Sequence, residues 1–203
     1  AHTRQSLIEG VSEWKYLHAV QGRDSHYELH SHNVGGSLKR QDFDIRLEGD
    51  GANFHLKSAS FLSESKHIDQ QITLNHLGKN TKSTQVINNV ADSKATATCN
   101  GRIVIDNGSS KADASLSNKN LALGDNVTFN AKPELEIYND DVSCSHGATI
   151  SQLSESELFY LTSRGVHPAR AKNMMARGFL NEAISGALQE ISTHRLESFF
   201  PKI

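Results

Sequence analysis

Residues 132–152 read KPELEIYNDDVSCSHGATISQ, and the architecture of the chain changes within this stretch. Leu135 and Ile137 alternate with glutamates, which predicts a half-buried strand, and residues 139–141 predict the turn that follows. The stretch then holds one of the chain's two cysteines, with a histidine two positions later. Short strand-like runs precede it and a helical period follows it. The stretch is therefore both the boundary between two architectures and the first place to look for chemistry.

Nine short apolar runs, the last of them inside this stretch, recur about ten residues apart, with no helical pattern between them. Alternation is clearest at Phe43, Ile45 and Leu47, which are separated by charged residues. The nine runs are 43–47, 54–56, 68–74, 85–87, 95–99, 103–105, 114–116, 127–129 and 135–137.

The apolar runs are separated by asparagine and glycine, which tolerate the left-handed backbone conformations of turns. We predict turns at all of these places. They are Asn88-Asn89, Asn100-Gly101, Asn107-Gly108, Asn118 with Asn120, and Gly124-Asp125-Asn126.

Many short strands without helices are typical of either an antiparallel sandwich or barrel, or a parallel β-helix. Three features favour the β-helix. Predicted inward residues such as Ala95, Ala97 and Ala114 are small, and asparagine recurs where stacked amides can form ladders. Aromatic residues, which build sandwich cores, make up only 6% of the chain, and hydrophobic residues only 36%. An elongated fold with a thin core fits this composition.

The pattern after residue 152 is helical. Ser154 begins a capping box with Glu157, Gly165 ends the first helix, and Pro168 occupies the first turn of the second. Apolar residues then recur at helical spacing, and Gly178 or Gly186 is expected to break or bend this segment. The sequence thus predicts a β-helix core over residues 1–150 and a small helical region over 151–203, with Phe199 and Phe200 exposed in its tail unless another element covers them.

Composition excludes several classes of protein. A net charge of −2 argues against a dedicated nucleic-acid binder and gives no reason to expect a membrane-surface role. Two cysteines cannot form a disulfide framework, so a reduced, cytoplasmic compartment is expected. The sequence shows neither a transmembrane run nor a secretory signal. Because it begins with Ala1, we expect a fragment or a processed product.

Cys144 and His146 are the best candidates for chemistry. In a strand they face the same way, with Cα atoms roughly 6.5–7 Å apart, so a thiolate and an imidazole can converge on one soft metal or cluster. Two ligands do not complete a tetrahedral site. The remaining ligands would come from elsewhere in the fold or from a second chain. The alternative is a buried cysteine that packs beside a hydrogen-bonded histidine.

The other reactive residues favour structural roles. Cys99 ends an alternating run and is predicted to lie in the core. Asp140 and Asp141 could form an acid–base pair, which would suit a β-helix enzyme acting on polysaccharide, but their position predicts a solvated bend. The histidines of an H-x3-H-x-H cluster cannot all converge through one regular geometry, so we predict solvated strand or loop histidines rather than a metal site. They are His26, His30 and His32.

The two predicted helices could also form a helix-turn-helix that reads DNA. Residues 153–203 contain six lysines and arginines and five acidic residues, a net charge of +1. This charge is too small to hold phosphates, so a helical appendage that docks a partner is the better interpretation.

The chain resembles the SufB/SufD family of iron–sulfur cluster assembly proteins over residues 130–180. The resemblance lies in KPELEIYNDDVSCSHGATISQL, in LFYLTSRGV and in the following helix that ends in GFL. The form CSHG is the one found in the SufD branch, whereas the SufB branch tends to have His-Glu-Ala there. The chain therefore looks SufD-like and looks like the C-terminal portion of a longer protein.

This resemblance implies a right-handed parallel β-helix followed by C-terminal helices, and a scaffold subunit that is not an enzyme. It implies pairing with SufB through the β-helix and docking of the ATPase SufC through the helices. The isolated chain could form a homodimer through the edge strand that carries Cys144 and His146. His146 matches the family histidine implicated at the SufB–SufD interface, and Cys144 matches the neighbouring cysteine. A transient iron–sulfur cluster or iron is implied there, with none bound tightly by this chain alone.

Overall fold

The computed structural model describes residues 2–6 and 11–184 of the chain, and the side chains of residues 11–184. The described residues form eleven strands and then two helices. The strands are β1 (His2–Ser6), β2 (Ser12–Gln21), β3 (His26–Val34), β4 (Leu38–Leu47), β5 (Asn53–Leu62), β6 (His67–His76), β7 (Lys82–Ala91), β8 (Thr96–Ile105), β9 (Ala112–Ala122), β10 (Thr128–Ile137) and β11 (Val142–Gln152). The helices are α1 (Glu155–Ser163) and α2 (Pro168–Ile184).

The strands form two parallel sheets that face each other. Odd-numbered strands make a six-stranded sheet in the order β1-β3-β5-β7-β9-β11, and even-numbered strands make a five-stranded sheet in the order β10-β8-β6-β4-β2. Every pairing is parallel. Because consecutive strands lie in opposite sheets, the chain winds as a solenoid. The predicted parallel β-helix is confirmed, and the sandwich and barrel alternatives are wrong.

Each strand places alternate side chains in the space between the sheets. Ile45 and Leu47 of β4, Leu56 of β5 and Leu74 of β6 are completely buried there. The small residues that favoured the β-helix are also buried, since Ala95, Ala97 and Ala114 expose at most 2% of their surface. The interior is thin and partly polar, which explains how a chain of low hydrophobic content forms a core.

The nine predicted runs correspond to seven strands, β4 to β10, because runs 127–129 and 135–137 belong to β10 and one predicted turn in β8 is wrong. Asn100-Gly101 lies inside β8, so the runs 95–99 and 103–105 belong to one strand. Asn100 donates its side-chain amide to Gln71 Oε1 at 3.0 Å on the outer face of the sheet. Gly101 faces the interior, where Leu116 fills the space that a side chain would need. Glycine is present here because of packing. The dipeptide Asn-Gly nevertheless looks the same in the sequence as one that forms a turn.

Four more asparagines that were predicted to mark turns lie within strands. Asn88 and Asn89 belong to β7, and Asn118 and Asn120 belong to β9. Asn89, Asn118 and Asn120 are buried between the sheets, and Asn89 Nδ2 donates to Asn120 Oδ1 at 2.9 Å. The expected stacking of amides therefore occurs within the core. The turns at 107–108 and 124–126 are confirmed.

The predicted helix boundaries agree with the structure. Ser154 Oγ accepts a hydrogen bond from the backbone N–H of Glu157 at 3.3 Å, which caps α1. Gly165 has a positive φ of 84° just beyond α1, and Pro168 begins α2. Gly178 does not break α2, which continues to Ile184. The predictions for residues 186, 188, 191 and 199–200 lie outside the described residues.

Helix α2 packs against the outer face of the six-stranded sheet. Its buried Ala176, Leu180 and Ala183 belong to one apolar cluster with Val34 of β3 and Val90 of β7. Two polar contacts fix the helix on the sheet. Asn88 Nδ2 donates to the carbonyl oxygen of Phe179 at 2.7 Å, and Lys119 forms an ion pair with Glu182 at 2.7 Å. Neither described helix is long and apolar enough to cross a bilayer.

Candidate functional site

The described β-helix ends at β10 in one sheet and at β11 in the other. Within the part of the chain that the structure describes, β11 pairs with β9 on one side and has a free edge on the other. A free edge presents backbone N–H and C=O groups that can pair with another strand. We call this end of the β-helix, formed by β10 and β11, the open end.

Apolar side chains line the open end. Leu135 of β10 and Val142 of β11 are half-buried against Ile103 and Leu116 of the preceding strands. Three larger side chains at this end are exposed: Ile137 to 45%, Tyr138 to 62% and Ile150 to 60%. Ile150 lies an even number of residues from Val142 and so shares its side of β11. The last strands of the solenoid therefore leave an uncovered apolar surface.

Cys144 lies within this apolar surface. It is opposite Ala114 in the register of β11 and β9, and it packs half-buried beside Val142 and Leu135. Burial raises the pKa of its thiol above the ordinary value, and the nearby carboxylate of Asp113 raises this pKa further. A hydrogen bond with the backbone of Ala114 acts in the opposite direction. The thiol is therefore protonated at neutral pH in the chain alone.

His146 lies two residues further along β11, opposite Leu116. It is exposed, whereas Cys144 is half-buried, although both lie on one side of the strand. The structure thus places the two candidate ligands together, as strand geometry predicts. Asp113 beside the thiol and exposed Ile150 at the same end could not be recognised from the sequence, because both relationships depend on the register between strands.

The structure also locates the other candidate residues. Cys99 is buried in the core, where burial raises the pKa of its thiol to about 12, so its predicted core position is confirmed. Both cysteines are free. Asp140 and Asp141 are exposed in the bend between β10 and β11, and the Asp141 backbone N–H donates to Asn139 Oδ1 at 2.9 Å. The predicted solvated bend is confirmed, so this pair offers no acid–base site.

The prediction of solvated histidines is wrong for two of the three. His26 is exposed, but His30 and His32 expose at most 1% of their surface on β3. His30 Nε2 lies 2.9 Å from Glu28 Oε1, in an ion pair when the imidazole is protonated. Alternation shows which side of a strand a residue occupies, but it cannot show that the outer side is covered. Nearby Val34, on the same strand, packs under α2.

Within the described residues, no three His, Cys, Asp or Glu side chains are grouped so that they could hold a metal ion. This applies to the open end, where the described candidate ligands are Cys144 and His146, and to the histidines of β3. A tetrahedral metal site takes four ligands. What the described chain presents at its open end is therefore at most half of such a site.

Comparison with known families agrees with this architecture. Residues 2–179 match the SUF system FeS cluster assembly, SufBD core domain. The chain belongs to the SufBD family. The match includes all eleven strands, α1 and most of α2, so it covers the fold as well as the motif around Cys144.

This SufBD-family chain is similar to three curated relatives. It is 32% identical over 153 residues to the iron-sulfur cluster assembly protein SufD of Escherichia coli K12. It is 32% identical over 167 residues to the SufBD family protein slr0076 of Synechocystis, and 29% over 184 residues to the chloroplastic protein ABCI7 of Arabidopsis thaliana. These matches cover 75%, 81% and 89% of the chain. The chain spans only 36–38% of the length of these relatives.

The chain is thus a SufD-like member of the SufBD family, whose core domain is described as SUF system FeS cluster assembly. The family model and the Escherichia coli relative are named for assembly and not for a catalysed reaction. Neither alternative function gains support. The carboxylates that suggested a polysaccharide enzyme are in an exposed bend. Helix α2, the second helix of the supposed DNA-binding pair, packs against the β-helix.

Proposed function

We propose that this chain is a non-catalytic scaffold of SUF iron–sulfur cluster assembly in the cytoplasm. In this proposal the open end pairs with SufB, and α1 and α2 dock the ATPase SufC. Cys144 and His146 form this chain's half of a site on which a cluster is built as cargo. Membership of the SufBD family and two free cysteines, as expected in a reduced compartment, support this role.

The geometry of the open end is the observation that carries the proposal. A free strand edge can add a strand from another chain, with backbone hydrogen bonds for affinity and alternate side chains for specificity. On β11, the same strand that offers the edge also carries Cys144, His146 and exposed Ile150. Pairing at this edge would cover the apolar surface and bring a second chain's ligands to the thiol and the imidazole.

The protonation state of Cys144 supports a shared site. Iron binds the thiolate, so the proton must leave when a cluster forms. Burial and Asp113 raise the pKa of the thiol in the chain alone. Ligands and positive charge from a partner would offset this effect, so cluster binding depends on the assembled pair.

A second surface, on α1 and α2, is suited to docking the ATPase SufC. Helix α1 has no buried residue, and its Phe159 and Tyr160 are 72% and 56% exposed. Met174 of α2 is 46% exposed. We call these three side chains the helical patch. Exposed apolar side chains of this kind mark protein interfaces.

Pairing through the open end is tested with matched charge substitutions in the full protein. Ile150→Lys places a charge in the apolar surface, so capture of SufB should fall at least about tenfold, as expected for the loss of a central apolar contact. Val20→Lys is the control, because Val20 is 52% exposed on β2 at the far edge of the other sheet. Sedimentation of the isolated variants reports whether a homodimer uses the same edge. Equal SufB capture by both variants would remove the open end from the proposal.

The role of the two ligands is tested separately from pairing. His146→Ala should leave SufB capture unchanged and lower the yield of cluster, measured by visible absorbance after reconstitution of the complex. Cys144→Ser should act in the same direction, while Cys99→Ser serves as the control thiol. A normal cluster yield from both His146→Ala and Cys144→Ser would exclude these residues from the site.

Docking of SufC is tested on the helical patch. Phe159→Ala combined with Met174→Ala should weaken SufC capture and leave SufB capture intact. Tyr16→Ala, a substitution of an aromatic residue that is 62% exposed on β2, is the control. Unchanged SufC capture by the double variant would place the ATPase elsewhere.

A further inference from the structure

The chain contains Asn-Gly dipeptides in two different environments. Asn100-Gly101 lies inside β8, while Asn107-Gly108 lies in the turn between β8 and β9. Both residues of the second pair are exposed, as is Asp106 before them. Asparagine followed by glycine is the dipeptide most prone to spontaneous deamidation, because glycine offers no side chain to hinder the attack of its backbone nitrogen.

We propose that Asn107 is a spontaneous deamidation site whose modification weakens the start of β11. The backbone nitrogen of Gly108 loses its proton to water or hydroxide and attacks Asn107 Cγ. A new C–N bond forms, the bond from Cγ to Nδ2 breaks, and the nitrogen leaves as ammonia after taking up a proton. Water then opens the succinimide at either carbonyl, which gives aspartate or isoaspartate. The sequence of steps needs only water and involves no oxidation or reduction.

The turn leaves room for this ring closure. Among the described residues, a Cβ on Gly108 would have one neighbour within 4 Å, Asp106 Oδ1 at 3.8 Å. The backbone N–H of Gly108 donates to this same oxygen at 3.2 Å, a long hydrogen bond to an exposed side chain. No sheet ladder holds residues 107 and 108, so fewer backbone hydrogen bonds oppose the attacking geometry here than in a strand.

The dipeptide in β8 is protected from the same reaction. Gly101 pairs with Ile72 on one side and Pro133 on the other, which holds its backbone extended. The side-chain amide of Asn100 is held by Gln71 Oε1 at 3.0 Å. Ring closure would need rotation of both groups, which the two neighbouring strands prevent. Asn100 is therefore an internal control for deamidation at Asn107.

Asn107 also supports the turn that leads into β11. Its carbonyl oxygen accepts a hydrogen bond from Asn139 Nδ2 at 2.6 Å. In the same pair of turns, the backbone N–H of Lys111 donates to the carbonyl of Asp141 at 2.6 Å. Isoaspartate lengthens the backbone at residue 107 and adds a negative charge next to Asp106. Both changes disturb the contact to Asn139, three residues before β11 begins.

The experiment follows deamidation in the folded, full protein during incubation in mildly alkaline buffer. Peptide mapping by mass spectrometry measures conversion at Asn107 and at Asn100, and a free peptide of residues 105–110 sets the intrinsic rate. We expect Asn107 to convert at a rate comparable to that of the peptide, Asn100 to stay intact, and Gly108→Ala to slow conversion strongly. An Asn107 that stays intact while the peptide converts would overturn the proposal, as would equal conversion at both asparagines.

Hydrogen exchange of the aged protein tests the effect on β11. The amides at the start of β11, near Val142 and Cys144, should exchange faster after conversion, while those of β4 should not change. Aged Gly108→Ala protein is the control for damage elsewhere. Conversion at Asn107 without faster exchange in β11 would contradict the structural part of the proposal.

Discussion

Leu116 Cδ1 occupies the space that a side chain at Gly101 would need, because a Cβ on Gly101 would lie 2.3 Å from it. Gly101 is buried in β8. Its φ is not positive, so contact with the Leu116 side chain, and not backbone conformation, favours glycine here. We predict that Gly101→Ala lowers the free energy of unfolding by about 1–3 kcal/mol, the usual cost of one extra methyl group in a packed core. Urea unfolding measures the change.

Gly147→Ala is the matched control for this prediction. Gly147 lies in β11, and a Cβ there would have nothing within 4 Å among the described residues. Its replacement should leave stability unchanged or raise it slightly, since alanine restricts the unfolded chain more than glycine does. An equal loss in both variants would show that flexibility, and not contact with Leu116, explains the glycine in β8.

Gly101 also shows where sequence reasoning about the fold succeeds and where it stops. Alternation of apolar residues, small inward alanines and scarce aromatics were enough to predict a parallel β-helix, and capping residues fixed the start of both helices. Asn100-Gly101 has the local signature of a turn, yet it lies within a strand. The reason is a contact with Leu116, fifteen residues away, that depends on the way the coils stack.

Two interior glutamines differ in hydrogen bonding, and this predicts opposite effects of the same substitution. Gln85 of β7 is 1% exposed, and neither atom of its amide has a hydrogen-bond partner among the described residues. A buried amide without a partner costs about 1–3 kcal/mol. Gln85→Met keeps the length of the side chain and removes this cost. We predict an unfolding free energy equal to or above that of the unmodified protein, measured by urea unfolding.

Gln70→Met is the control, because Gln70 is also completely buried. Its Nε2 donates to Gln41 Oε1 at 3.0 Å and to Ser58 Oγ at 2.8 Å. Replacement leaves those acceptors without this donor, so stability should fall by about 1–3 kcal/mol. If Gln85→Met lost as much as Gln70→Met, the amide of Gln85 would have a partner after all.

The relative position of Cys144 and His146 was predictable from the sequence, but their surroundings were not. Strand geometry alone put Cys144 and His146 on one side of β11, and the count of ligands showed that any others had to come from elsewhere in the fold or from a second chain. Asp113 beside the thiol and the apolar surface around Ile150 follow from the pairing of β11 with β9 and from where the sheets end. The prediction that the histidines of β3 are solvated was wrong for a related reason. Whether the outer face of a sheet is covered depends on how elements distant in the sequence pack on it.

Stability should depend on pH through His76. Its imidazole is completely buried, with Nδ1 2.8 Å from Thr81 Oγ1 and Nε2 2.9 Å from Ser83 Oγ, and burial lowers its pKa from 6.5 to about 4. The unfolded chain therefore takes up a proton at higher pH than the folded chain does. The stabilising contribution is complete above pH 6.5 and is lost as the pH falls through about 4. The total loss should be about 3 kcal/mol.

A His76→Gln variant isolates this contribution, because carboxylates also titrate near the lower end of the range. The unfolding free energies of both proteins are measured across this pH range. Their difference should favour the unmodified protein near neutral pH and shrink as the solution becomes acidic. A constant difference would mean that protonation of His76 does not destabilise the fold.

The reactivity of Cys144 tests the electrostatics of the open end. Only the thiolate reacts with an alkylating reagent, so a raised pKa makes the reaction slow at neutral pH and faster as the pH rises. Burial is the main cause of the raised pKa and the charge of Asp113 is the second. Asp113→Asn removes that charge, lowers the pKa and should speed alkylation of Cys144 several-fold at neutral pH.

Cys99 serves as an internal control, because burial raises its pKa to about 12 and it should react only when the protein unfolds. Faster alkylation of both cysteines in Asp113→Asn would indicate loosening of the fold, and an unchanged rate at Cys144 would show that Asp113 does not act on the thiol.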